Sequence, residues 1–108
     1  MVTQTDDLTF RGYNTLWEGI AQSETPGSVK IEGGKYTVHA QGTFGGGSVE
    51  LQYSSDNSDF TSIDSTNLTF TAEGVYNFEL AHGWVKPILT GGDGTTDIDV
   101  RLKPIPNG

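Results

Sequence analysis

The chain has 108 residues, no cysteine, and fourteen acidic against six basic side chains, for a net charge of −8. That length suits one domain with one core, and the missing thiols exclude a disulfide framework, a thiolate zinc site and a cysteine nucleophile. The negative charge repels nucleic-acid phosphates and anionic membrane surfaces, so neither is expected as a partner.

The N-terminus, MVTQTDDLTF, has no basic stretch followed by an apolar run, and nowhere do 18 apolar residues occur together. A soluble, unprocessed chain is the expectation. Threonine, serine, valine and aromatic residues prevail over helix-building types, which suits pleated strands.

The first 26 residues contain Phe10, Tyr13, Leu16, Trp17 and Ile20 but no steady period of 2 or 3.6, and they run into a Thr25-Pro26-Gly27 stop. They predict an extended N-terminal arm (1–26) with room for one short helical turn. Its large apolar side chains need a surface to cover them, because a free tail is poor in such residues.

Residues 27–108 predict a β-sandwich domain. KYTVHAQ (35–41) places Tyr36, Val38 and Ala40 on one face, and VELQYS (49–54) places Val49, Leu51 and Tyr53. NLTFTA offers Leu68, Phe70 and Ala72; VYNFEL offers Tyr76, Phe78 and Leu80; DIDVRL offers Ile98, Val100 and Leu102. Each alternates with polar neighbours and is bounded by turn residues. Two weaker runs, 28–32 and 60–64, and the interrupted WVKPILT (84–90) bring the count to about eight strands. An all-β, antiparallel, jelly-roll-like sandwich is therefore expected. Pro87 cannot donate to a ladder and predicts an edge or a bulge. With Val85, Pro87 and Leu89 inward, Trp84 and Ile88 face outward as an apolar patch.

GTFGGG (42–47) invites a phosphate-binding reading, but a strand follows it instead of a helix, and no lysine occurs between Lys35 and Lys86. The glycines read better as a tight connection between adjacent strands. Asp93, Asp97 and Asp99 are hard oxygen ligands close in sequence, yet they lack the calcium-loop spacing and its closing glutamate, so they read as a turn and a polar face, with no metal and no cofactor expected. His39 falls on a polar strand face and His82 beside a turn. No serine stands in a nucleophile elbow. Nothing here supports an enzyme. The contact candidates are Phe10, Tyr13, Leu16, Trp17 and Ile20 of the arm, together with Trp84 and Ile88. Trp17 and Trp84 also admit sugar stacking, although tryptophan is commoner at buried protein contacts.

The G-x-Y-x-V opening strand, the GTFGG connection, the V-x-L-Q strand with its Ser/Asp turn and the late TGG-x-GT loop lie within residues 33–103. In these motifs the chain resembles small structural proteins of tailed-phage virions that decorate or cement the head. The resemblance implies a β-sandwich, frequently trimeric, seated on the capsid where major capsid protein subunits meet, with no catalytic residues. It implies a virion location after synthesis in the host cytoplasm. A tail or fibre component, or a carbohydrate-binding module, remains as the alternative.

Overall fold

A computed structural model describes residues 2–9 and 12–105, with the backbone alone over 6–9 and 12–14. Phe10 and the Tyr13 side chain lie outside the described residues. The described residues are all-β, with ten strands and no helix. They are β1 (Thr3–Thr9), β2 (Gly12–Ile20), β3 (Val29–Ile31), β4 (Gly34–Thr43), β5 (Ser48–Ser54), β6 (Thr61–Ser62), β7 (Thr69–Phe70), β8 (Gly74–Leu80), β9 (Gly83–Thr90) and β10 (Asp97–Pro104).

These strands make two packed antiparallel sheets of five. One runs β1-β2-β10-β4-β8; in the other, β3 pairs β9, β9 pairs β5, and both β6 and β7 pair the far side of β5. Among the described residues the sheets touch edge to edge only at the pair Gly12↔Ile31. The order has the logic of a jelly roll. A long antiparallel hairpin, β2 to β5 against β10 back to β6, rolls up so that β2 meets β10, β3 meets β9, β4 meets β8 and β5 meets β6 and β7.

The core follows from the alternation. Tyr36, Val38, Ala40, Ile98, Val100 and Leu102 of one sheet are buried against Val29, Ile31, Val49, Leu51 and Val85 of the other, with Leu68 closing one side. Tyr76, Phe78 and Leu80 pack against this core from the edge strand β8. Ala72, expected inward, is exposed because β7 ends at Phe70. Pro87 is buried in β9, but β3 reaches only Val85, so from Pro87 onward β9 is paired on the β5 side alone. The missing amide thus falls where a ladder has already ended.

The expected arm is not separate from the sandwich. β2 is an interior strand between β1 and β10, and Trp17 and Ile20 are fully buried in the core. The boundary at residue 26 falls within one fold, and no helical turn forms in the described part of 3–20. Alternation was hidden because Trp17 and Ile20, three apart, both face inward. Val100 pairs Trp17 while Ile98 pairs Ile20, so β2 carries one extra residue there. Gly19, at φ 75°, absorbs it as a bulge.

Both glycine loops cross from sheet to sheet. The 42–47 run links β4 to β5, which are not neighbours, so it is a crossing and not the expected link between adjacent strands. Gly47 N–H donates to Phe44 C=O at 2.8 Å across Gly45 and Gly46, both at positive φ. Such a turn needs left-handed backbone at both central positions. The 91–96 loop returns from β9 to β10, and Thr96 Oγ1 donates to Phe44 C=O at 3.1 Å, tying the two crossings together.

Candidate functional site

Inward alternation along β9 leaves Trp84, Lys86 and Ile88 on the outer face of the β3-β9-β5 sheet, each half-buried. The register sets Trp84 beside Lys30 and Ser54, Lys86 beside Gln52, and Ile88 beside Glu50. Lys30 Nζ lies 5.8 Å from the Trp84 ring centroid, and the His82 ring meets that indole edge-on at 6.2 Å. Lys86 Nζ sits 4.4 Å over Phe60. The aromatic surface is therefore bordered by two ammonium groups in an otherwise acidic protein.

Glu50 adds a polar centre to this face. Its Oε1 accepts from Gln52 Nε2 at 2.9 Å, while its Oε2 is buried with no hydrogen-bond partner among the described residues. Buried acceptors are nearly always satisfied, so an open one beside Ile88 is a place where an incoming donor gains more than it would elsewhere. Together, Trp84, Ile88, Lys30, Lys86, Phe60 and Glu50 form an amphipathic strip suited to a protein contact. The ammonium over the indole also crowds the ring face that a sugar would need.

The seven contact candidates separate into different environments. Trp17 and Ile20 belong to the core and cannot reach a partner in the folded chain, which corrects their assignment as contact residues. Leu16 is half-buried on the outer face of the other sheet, paired with Arg101. Phe10 and the Tyr13 side chain fall outside the described residues. Trp84 and Ile88 share one face. Lys86 joins them by the same alternation along β9, Lys30 and Glu50 join through cross-strand register, and Phe60, just before β6, joins through its contact with Lys86; alternation within one strand reveals only the first.

The remaining motifs have local partners. Asp93 Oδ1 accepts from Thr95 N at 2.8 Å and Thr95 Oγ1 at 2.6 Å, and the hydroxyl bond first, then the amide, holds its carboxyl below the usual value. Asp99 Oδ1 accepts from the Gly19 amide at 2.9 Å, so it caps the bulge in β2. Among the described residues, no three histidine or carboxylate side chains gather into a metal-binding group. His39 Nε2 lies 3.2 Å from Glu73 Oε2 and lines a groove of about 250 Å³ with Thr37, Val75, Arg101 and Lys103. His82 stands on the link between β8 and β9, and its carbonyl accepts from Tyr53 Oη at 2.7 Å.

Compared with known protein families, curated proteins and solved structures, the chain matches none of them.

Proposed function

We propose that the chain is a non-enzymatic structural protein of a tailed-phage virion, of the head-decoration or cement kind. It binds the major capsid protein on the head surface as a trimer and stabilises the shell. The observation that carries this reading is the outer face of β9, where Trp84 and Ile88 flank Lys86 and the open acceptor of Glu50. An aromatic anchor, an aliphatic anchor and a desolvated polar group within one strip make the usual centre of a protein interface. The bordering ammonium groups of Lys30 and Lys86 favour an acidic partner surface, while the net charge of −8 discourages casual association. The motif resemblance over 33–103 supplies the virion address.

Co-sedimentation with undecorated heads tests it. Trp84→Ala and Ile88→Asp should each reduce binding at least tenfold while circular dichroism stays unchanged, because anchors at an interface centre cost about 2 kcal/mol or more when truncated. Glu18→Ala, exposed on the opposite sheet, should bind as the parent does. Heads that retain both β9 variants at full affinity would remove the reading. Binding to tails, or to a glycan array and not to heads, would replace it with one of the alternatives.

A further inference from the structure

Unpaired amides and carbonyls along a sheet edge form a template for another chain unless something blunts them. Most edges here are blunted. β3, β6 and β7 are three, two and two residues long, and β1 carries Asp6 and Asp7 in mid-strand. β8 has neither device. Its seven residues, GVYNFEL, include one charge and no proline, and among the described residues it pairs only with β4. On this strand Val75 is 60 % exposed, the single exposed large apolar side chain among the described residues.

The ladder fixes which way the edge points. Ile105 N–H donates to Lys35 C=O at 2.9 Å, on the side of β4 that faces β10. Backbone groups alternate sides along a strand, so Thr37 and His39 also address β10, while Tyr36 and Val38 address β8. Tyr36↔Phe78 and Val38↔Tyr76 are then the hydrogen-bonded pairs with β8. Val75, Asn77 and Glu79 direct their own N–H and C=O groups out of the sheet.

We propose that this edge is a self-association surface: β8 of one copy pairs antiparallel with β8 of a second about a two-fold axis at Asn77. The inference stands apart from the head-decoration reading. Asn77 is the middle residue of β8, so this register pairs the whole of Gly74–Leu80. Val75 meets Glu79 and Asn77 meets Asn77 through the outward backbone groups, and Tyr76 meets Phe78 at the closer, non-hydrogen-bonded positions. Aromatic cross-strand pairs stabilise such a ribbon. No glutamate faces a glutamate, and each Val75 is covered by the aliphatic stem of the Glu79 opposite it.

Sedimentation and light scattering of the full chain test the contact. The Asn77 backbone N–H points away from β4, so Asn77→Pro spares the intramolecular ladder, as a proline on an outward edge position does, and gives up the exposed side-chain bond from Thr37 Oγ1 to Asn77 Oδ1 at 2.8 Å. Its mass should be at most half that of the parent, whether the basic unit is one chain or three. Val75→Glu sets a carboxylate opposite Glu79 at both ends of the ribbon and should weaken association on the order of tenfold. Val75→Lys sets an ammonium there and should retain it. Equal masses for the parent and Asn77→Pro would overturn the proposal, and so would equal weakening by Val75→Glu and Val75→Lys. Should Asn77→Pro fail to fold, the two Val75 variants decide alone.

Discussion

The indole Nε1 of Trp17 donates to the carbonyl of Gly27 at 2.8 Å, fastening β2 to the link that leads into β3. The ring itself is fully buried, between the strands it was expected to leave for a partner. Deleting residues 1–20 should therefore abolish cooperative folding, because it strips β10 of its neighbour and opens the core. Trp17→Ala should cost about 3–5 kcal/mol, the range for emptying a buried aromatic site. Glu18→Ala, on the exposed face of the same strand, should change stability by less than about 0.5 kcal/mol. Urea titration followed by tryptophan fluorescence and circular dichroism measures all three, and a truncated chain that melts like the parent would contradict the placement of β2.

The contrast between β2 and β10 shows what the sequence makes legible. Ile98, Val100 and Leu102 alternate with charged residues, and all three are buried. β2 breaks the rule at Gly19, and its outer face carries the apolar Leu16, so neither its period nor its polarity marks a strand. The signal that does exist is Gly19 beside large apolar residues, the signature of a bulge. Trp84 and Ile88 were placed outward by counting along β9. Their neighbours Lys30 and Glu50 come from other strands through register, and Phe60 from the loop before β6, placements that depend on the rolled topology and leave no local trace.

Two buried threonines should respond in opposite ways to the same change. Thr96 Oγ1 accepts from Asp93 N at 2.9 Å and donates to Phe44 C=O, so Thr96→Val takes the acceptor from Asp93 N–H and leaves Phe44 C=O with the Gly47 amide alone. A loss of about 1–3 kcal/mol is expected. Thr15 Oγ1 is buried with no hydrogen-bond partner among the described residues, so Thr15→Val removes a desolvated hydroxyl from an apolar site and should gain about 1 kcal/mol. Chemical denaturation of the two variants side by side checks the pair, and destabilisation by Thr15→Val would show that its hydroxyl has a role.

Glycine at 42 and at 46 is required for different reasons. Gly46, at φ 82°, has nothing within 4 Å of a built Cβ, so Gly46→Ala bears only the left-handed backbone cost of roughly 1–2 kcal/mol. At Gly42, φ is 124° and a Cβ would lie 2.3 Å from the Asp97 carbonyl oxygen. Gly42→Ala must therefore push β4 and β10 apart where they enter the crossing loops, and should destabilise more than Gly46→Ala. Thermal melts order the two variants, and the reverse order would mean that the crossing does not hold β10 this closely.

Acid should weaken the loops through carboxylates that serve as turn caps. Asp64 is held below the ordinary 3.8 chiefly by the Asn67 side chain, then by the amides of Asn67 and Thr66. Asp56 is held below it chiefly by Ser54 Oγ, then by the amides of Asp59 and Ser58. A carboxyl whose value is lower in the folded chain than in the unfolded one takes up its proton first in the unfolded chain. Its contribution is therefore complete above the unfolded value and is lost as pH falls through the folded one. Melting temperature should accordingly show the caps at full strength at pH 7 and lose their contribution below about pH 4. General charge repulsion also relaxes in that window and acts the other way, so the informative quantity is the gap between the parent and Asp64→Asn. The variant keeps one acceptor oxygen but no charge, and nothing titrates at that site. The gap should favour the parent at pH 7 and narrow steadily as the Asp64 carboxylate is protonated. A gap that stays constant from pH 7 to pH 2 would mean that the ionised form of Asp64 is not what holds the turn before β7.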